Sequence, residues 1–327
     1  MYEGSESTQR QALGTDENRS LQTSPLVEAR NLSKHYGNLE VVKGIHFRVG
    51  EGECFGFLGP NGAGKTSTVN MIYGYSPMTA GEITVMGRDI RKYLRQIKAQ
   101  IGVVPQENNL DPDLTVKANL LVYARYFDIP KKEAARRTDE LLEFMQLKEK
   151  AKAKIMQISG GMKRRLVIAR SMINRPRLLI LDEPTTGLDP QARHLIWQNL
   201  RTLKRHGTTM ILTTHYMEEA AQLCDRLVIM DRGTIVAQGS PRELVEAHVG
   251  DDVIELRVNE EIGGHILGLL NSHHFIHERV GDTLYLFSKS GEGLLQRVLE
   301  INGEDVIHRP ATLEDVFLRL TGRELRD

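Results

Sequence analysis

The sequence predicts an α/β fold centred on a mainly parallel sheet. Three observations carry that prediction. Short apolar runs at Leu178–Leu181, Thr209–Thr213 and Leu227–Met230 read as buried parallel strands, with helical segments at 190–205 and 216–223 between them. A glycine-rich loop at 59–64 stands between an apolar strand and a helix. After about residue 250 the texture changes to alternating strands and short helical segments, the pattern of a small α+β appendage of split-βαβ type.

The elements follow in order. Residues 1–24 are polar, with almost no large apolar groups, and are expected to be a disordered tail. Order is expected from Leu26, with short strands at 26–30, Val41-Val42 and Ile45–Val49, punctuated by turns at Gly37-Asn38 and Gly50-Glu51-Gly52. A strand at 53–58 leads into the glycine loop, and a helix begins near Lys65. Another strand is expected at 100–105. The stripe Ala134, Ala135, Thr138, Leu141, Leu142, Met145 marks a helix over 131–146, and Met162, Leu166, Ala169, Ile173 mark one over 161–173. In the last segment, strands are expected at 253–258, 275–280, 283–288 and near 305–309, and helices at 262–270, 292–301 and 312–320. The expected division is a tail over 1–24, a main domain over 25–250 and an accessory domain over 251–327.

Composition narrows the function classes. Lys+Arg and Asp+Glu both number 43, so no global basic field exists to hold nucleic acid, and no nucleic-acid partner is expected. The longest stretches free of Asp, Glu, Lys and Arg, 66–81 and 262–277, are sixteen residues each, short of the roughly 18–20 apolar residues that a membrane span needs. No signal peptide is expected, because acids come early and an apolar core region is lacking. Cys54 and Cys224 are the only cysteines, lack metal-type spacing, and are expected to be buried reduced thiols of a reducing compartment.

The chemistry sits in a few short motifs. Gly59-Pro60-Asn61-Gly62-Ala63-Gly64-Lys65-Thr66 fits G-x-x-x-x-G-K-[ST]. Glycines let successive backbone N–H groups turn onto a phosphate chain, and the following helix aims its positive end at the same charge. Lys65 supplies a point charge for the β/γ-phosphates, and the Thr66 hydroxyl is a hard oxygen ligand suited to Mg²⁺. The apolar strand Leu178–Leu181 ends in Asp182-Glu183: Asp182 is placed to hold the Mg²⁺ hydration shell, and Glu183 to polarise an attacking water. Ser159-Gly160-Gly161 opens a helix and makes a second anion site, or an ordinary N-cap. One triphosphate does not obviously need both helix ends from one molecule.

In combination these motifs resemble the ATP-binding subunits of ABC transporters, over about residues 26–245. Gly59–Ser67 matches the Walker A loop, Gln106 the Q-loop glutamine, Ser159-Gly160-Gly161 the family signature, Asp182 and Glu183 the Walker B pair, Asp189 the D-loop and His215 the switch histidine. Tyr36 sits where the family stacks an aromatic on adenine. Ile158 before the signature and the Thr186-Gly-Leu-Asp form of the D-loop are small departures. The runs 52–60, 189–197 and 213–220, and the ending from Thr312, look like the ABC-2 export group that includes nodulation-type lipo-oligosaccharide and drug-efflux ATPase subunits.

The resemblance implies a P-loop NTPase core of ABC type: a mainly parallel sheet with helices, an antiparallel β subdomain and a helical signature subdomain. It implies ATP and Mg²⁺ as cofactors, with Thr66, Gln106 and Asp182 toward the metal. Glu183, His215 and Gln106 are the implied catalytic residues. Tyr36 and residues 59–67 (Gly59, Pro60, Asn61, Gly62, Ala63, Gly64, Lys65, Thr66, Ser67) would bind the nucleotide. One motif set per chain implies a head-to-tail dimer of two copies, in which Ser159–Gly161 acts on the partner's ATP. Separate membrane-spanning ABC-2 permease subunits would take up the stroke near 107–114, at the cytoplasmic face of the inner membrane. Three alternatives remain: a non-transport ABC ATPase acting on ribosomes or DNA, a P-loop kinase or GTPase, and a regulatory ATP-binding module. About fifty residues separate Gln106 from Ser159 without a heptad run, which disfavours the first.

Overall fold

The computed structural model describes residues 24–258, 260–270, 275–289, 291–301 and 306–321; the tail expected over 1–24 lies outside them except for Ser24. The chain opens with β1 (Val27–Tyr36) and β2 (Leu39–Val49), joined at the expected Gly37-Asn38 turn. The two short strands read at 41–42 and 45–49 are one strand. Gly44 takes a left-handed φ of 61° in its middle, and the pairing with β1 shifts register there, so a bulge looks like a break in the sequence. With β4 (Ala80–Val85) and β5 (Arg88–Asp89) these strands form an antiparallel sheet in the order β2-β1-β4-β5. Its inner face meets β3 (Cys54–Leu58) through Phe47, whose ring stands edge-on to Phe57 at 5.0 Å.

The second sheet holds β3, β6 (Ile101–Val104), β7 (Leu178–Asp182), β8 (Thr209–Thr214), β9 (Arg226–Asp231) and β10 (Thr234–Gly239), in the order β10-β9-β3-β8-β7-β6. All its pairings are parallel except β9 with β10. The register sets Leu58 beside Thr214 and Asp182 beside Thr213. The loops leaving β3, β6, β7 and β8 therefore emerge along one edge, where open α/β sheets place their ligands.

Helix α1 (Lys65–Ile72) starts directly on the glycine loop. Helices α2 (Ile90–Lys98), α3 (Val116–Arg125), α4 (Lys131–Phe144) and α5 (Gly160–Ser171) follow, then α6 (Pro190–Arg205), α7 (Met217–Leu223) and α8 (Pro241–His248). The sequence reading found α4, α5, α6 and α7 to within a few residues and missed α2, α3, α8, β4, β5 and β10. α2 carries a helical period at Ile90, Tyr93, Leu94 and Ile97 that was overlooked, and β10 alternates between exposed and half-buried positions with no apolar run.

After residue 250 the order is β11 (Asp252–Arg257), α9 (Glu260–Leu269), β12 (Ile276–Val280), β13 (Thr283–Ser288), α10 (Gly291–Ile301), β14 (Val306–Pro310) and α11 (Leu313–Thr321). The four strands form an antiparallel sheet ordered β12-β13-β11-β14, the split-βαβ arrangement expected. Its faces follow the period of two. Ile254, Leu256, Leu284 and Leu286 pack under Ile266, Leu294 and Val298. Val253 and Phe287 point the other way and join the main core.

Helix α11 also joins that core, placing Leu313, Val316, Phe317 and Leu318 in one apolar cluster with Ala220 and Leu223 of α7 and Leu244 of α8. Arg309 anchors it, donating to Asp315 at 2.7 and 2.6 Å, while Asp315 also accepts from the Thr312 N–H at 2.8 Å. Cys54 and Cys224 are buried and unbridged. Among the described residues no helix is long and apolar enough to cross a membrane.

The C-terminal segment thus contributes to the core next to the parallel sheet. Phe317→Ala should lower unfolding free energy by about 3–5 kcal/mol, through lost burial plus cavity. In urea this reads as a lower midpoint at unchanged slope. An unchanged midpoint would mean that α11 adds nothing to the core.

Candidate active site

Gly64 caps α1 with a left-handed φ of 100°, and a Cβ there would lie 2.8 Å from the Val41 carbonyl oxygen. A side chain is excluded twice over, by conformation and by space. The loop and the start of α1 enclose a cavity of about 160 Å³, lined by Asn61, Gly62, Ala63, Gly64, Lys65, Thr66 and Ser67 together with Val41, Gln106 and Glu183. That is well under the ~300 Å³ of a small whole-ligand pocket. It suits phosphates, with the base of a nucleotide lying outside. Tyr36 stands at the turn between β1 and β2, half exposed, its hydroxyl 3.5 Å from Ser76 Oγ and its ring 4.7 Å from Lys34 Nζ.

Lys65 is buried. Its Nζ donates to the carbonyls of Gly59 (2.8 Å) and Pro60 (3.1 Å) and lies 3.7 Å from Glu183 Oε1. Burial pushes this ammonium down, against the charges of Glu183 and Asp182. Asp182 Oδ1 accepts from Thr66 Oγ1 at 3.1 Å and from the Thr213 hydroxyl. Burial nevertheless pushes the Asp182 carboxyl up, with Glu183 adding to it.

Glu183 shifts the other way. Its Oε2 accepts from Gln106 Nε2 and Thr186 Oγ1, both at 3.2 Å, and its Oε1 lies 3.4 Å from His215 Nδ1. The His215 contact holds the Glu183 carboxyl down, burial opposes it, and Lys65 adds to the lowering. Lys65, Thr66, Gln106, Asp182, Glu183 and His215, read from four separate motifs, meet in one cluster.

Ser159, Gly160 and Gly161 do not. None lines the cavity, and Ser159 and Gly160 are exposed. Ser159 Oγ accepts from the Met162 N–H at 3.3 Å and caps α5. A Cβ on Gly161 would sit 2.8 Å from Ala192 Cβ, so this glycine admits the close approach of α6, whereas Gly160 has open space around it. Asp189 caps α6, accepting from the Ala192 N–H at 2.9 Å.

Comparison with known proteins fits this geometry. Residues 42–186 match the ABC transporter family, and 270–322 match the C-terminal domain of the nodulation factor export protein NodI. The chain is 48% identical to the Nod factor export ATP-binding protein I of Burkholderia orbicola over 92% of its own length and 98% of that protein's. It is 46% identical to the protein of the same name from Rhizobium etli over 91% of this chain and 94% of that one. The chain belongs to the ABC transporter ATP-binding subunits. Among solved structures it is similar to an ATP-binding subunit of an ABC transporter (TM-score 0.62, 29% identity, 68% of this chain and 92% of that one). It is also similar to a dimeric ATP-binding cassette bound to ADP and Pi (TM-score 0.60, 28% identity, 65% and 98%).

The ATPase cluster rests on a residue that motif reading passed over. Arg164, on α5, is buried and donates to five backbone carbonyls: Pro184 (2.6 Å), Asp182 and Glu183 (both 3.0 Å), Gln106 (3.1 Å) and Pro105. Burial pushes its guanidinium down to about 10, still charged at neutral pH. Glu183 has a left-handed φ of 45°, a conformation that needs outside support. Arg164 holds its carbonyl, and Thr213 accepts from its N–H through both carbonyl and hydroxyl at 3.1 Å. Arg164 lies opposite the stripe Met162, Leu166, Ala169, Ile173 from which the helix was read, and its signal in the sequence was the apolar pair Val167 and Ile168 one turn further along its own face.

Arg164→Lys should therefore be far from conservative, because an ammonium cannot span carbonyls from two loops. A displacement of a group at the site by about 1 Å is worth up to about 100-fold in rate, so kcat for ATP hydrolysis should fall roughly 10- to 100-fold. Wild-type steady-state turnover would remove Arg164 from the support of Glu183.

Proposed function

We propose that this ATPase powers an ABC-2 type exporter as a homodimer, joined to separate membrane-spanning permease subunits at the cytoplasmic face of the inner membrane. The single observation that carries the dimer is the separation of the two anion sites. Lys65, Thr66 and Glu183 line the cavity, with Asp182 against Thr66 and His215 against Glu183, while Ser159 and Gly160 stand exposed and do not line it. An exposed helix N-terminus with two glycines suits the γ-phosphate of a second subunit's ATP, and the dimeric cassettes among the similar structures support that arrangement.

In this reading the triphosphate replaces Gly59 and Pro60 as the partner of Lys65, which releases Glu183 from its ion pair. Glu183, held by Gln106 and Thr186, then accepts the proton of the attacking water, and His215 keeps its carboxylate oriented. The Thr66 hydroxyl and Asp182, oxygen donors 3.1 Å apart, fit Mg²⁺ with Gln106 beside them, and a bound Mg²⁺ would neutralise phosphate charge. It would also counter the upward push of burial on Asp182. Tyr36 offers its exposed ring to the adenine.

A groove of about 1070 Å³ supports a permease partner. It runs between α2 and α3 and is lined by Leu94, Val103, Tyr123, Tyr126 and Phe127, close to Gln106 in the chain. None of residues 107–114, where docking was expected, lines it. The curated relatives are named for Nod factor export, and a lipo-oligosaccharide cargo is the extension of those names to this chain. The accessory segment 251–327 would serve coupling or dimer stability. Relatives named for export over 92% of the chain lend no support to a ribosome- or DNA-directed ATPase.

Glu183→Gln should keep ATP binding and lose about 10²–10⁴ in turnover, since the amide keeps the shape and removes the basicity. Near-wild-type steady-state hydrolysis would sink the assignment of the base. The shared site is tested by mixing. Ser159→Arg and Lys65→Ala homodimers should each be nearly inactive, but their heterodimer pairs one intact loop with one intact signature. Random pairing then restores up to roughly a quarter of the wild-type rate. A mixture that only averages the two mutants, with wild-type rate strictly linear on dilution, would place the whole site in one chain.

A further inference from the structure

Helix α7 begins two residues after His215, and it carries a buried acid with no part in the chemistry above. Glu219 has 0% of its surface exposed. Its Oε1 accepts from Thr185 Oγ1 at 2.7 Å and from Trp197 Nε1 at 2.9 Å. The three residues belong to three parts of the site. Thr185 lies two residues past Glu183, in the turn that leads to Asp189. Trp197 lies on α6, which Asp189 caps and whose Ala192 faces Gly161. Glu219 lies four residues past His215, on the helix that continues from it. Burial pushes the Glu219 carboxyl up, against hydrogen bonds from Thr214, Thr185 and Trp197.

An acid in this place costs more than a leucine would, since a polar group leaves water. What it adds is a fixed distance. One oxygen receives two donors, so the turn after Glu183 and the body of α6 are both tied to α7. Resting on the reading of Glu183 as the base, we infer that Glu219 is a positioning residue for hydrolysis: through Thr185 and Trp197 it locks the Glu183–Asp189 turn and α6 to the helix behind His215. The 3.4 Å contact between His215 and Glu183 then depends on this clamp, because the two residues leave neighbouring strands on separate loops. The same clamp transmits any shift of Asp189 or Gly161, the parts nearest a partner subunit in the dimer reading, to His215.

The test uses the full-length chain with Mg-ATP and reads kcat, KM and the emission of Trp197, the single tryptophan of the chain. Thr185→Val deletes one hydroxyl and keeps the side-chain shape. It should lower kcat about tenfold and leave KM within about twofold, with Trp197 emission unmoved because the indole bond to Glu219 remains. Glu219→Met keeps bulk and removes the acceptor; it should lower kcat about 10- to 100-fold and shift the emission. Glu219→Gln returns an acceptor oxygen at the same reach and should recover kcat to within about threefold of wild type.

A folded Thr185→Val protein with wild-type kcat overturns the inference, whatever becomes of Glu219→Met. So does a fall in kcat matched by an equal rise in KM, or a folded Glu219→Gln protein as impaired as Glu219→Met. Glu183→Gln run alongside separates the two levels. If it is inactive while Thr185→Val is normal, only the role of Glu219 falls; if it turns over normally, the base assignment and the inference fall together.

Discussion

Two adjacent carboxylates must be buried at the end of one strand and both remain usable. Asp182 and Glu183 follow each other in the chain, both almost out of water, and like charges so placed penalise one another. The structure settles the conflict by giving them different company. Asp182 accepts from two hydroxyls, those of Thr66 and Thr213, which work against burial and the Glu183 charge without stopping them from pushing its carboxyl up. Glu183 is turned by a left-handed backbone toward His215, Lys65, Thr186 and Gln106, and the first three hold its carboxyl down. Much else in the core of the protein serves to keep that turn in place.

The backbone at Glu183 is the costly part. A non-glycine residue in the left-handed region persists only where neighbours over-determine it. Here the N–H goes to Thr213 and the carbonyl to Arg164, so two elements from outside the strand fix one residue. Arg164 further ties that residue to the loop of Gln106, and it comes from the helix that the signature Ser159 caps. A change at the helix start is therefore connected by hydrogen bonds to Glu183 and to the Gln106 loop. Glu219 repeats the device one layer deeper, between the turn after Glu183 and the helix after His215.

The C-terminal segment has a double character. One face of its sheet closes on its own two helices, as an independent unit would. The other face and α11 contribute Val253, Phe287 and Phe317 to the core around α7 and α8. The Arg309–Asp315 pair keeps α11 on that sheet while its apolar side lies on α7. Helix α7 is thus held from within by Glu219 and from without by α11, and its first turn begins just beyond His215.

The nucleotide chemistry of this protein is legible in short runs of consecutive residues. In the proposed reading phosphate is bound by contiguous backbone N–H groups and one helix end, which is why Gly59–Ser67 stand as consecutive residues. The same holds for Asp182-Glu183 and for Ser159–Gly161, whose geometry is local to one turn. The parallel strands were legible because burial on both faces demands unbroken apolar runs, and the split-βαβ segment because its strands alternate. Bulged β2 was not legible as one strand, since Gly44 breaks its period, and half-exposed β10 has no apolar run to announce it; α2, with Ile90, Leu94 and Ile97 at helical spacing, was legible and was overlooked. Which of the buried charged residues hold the site together is set by packing. Arg164 acts on carbonyls up to 59 residues away, and any residue supplies a carbonyl, so no pattern of residue types encodes the contact. Glu219 and α11 likewise gain their meaning from neighbours distant in sequence, because burial and reach are properties of the packed molecule.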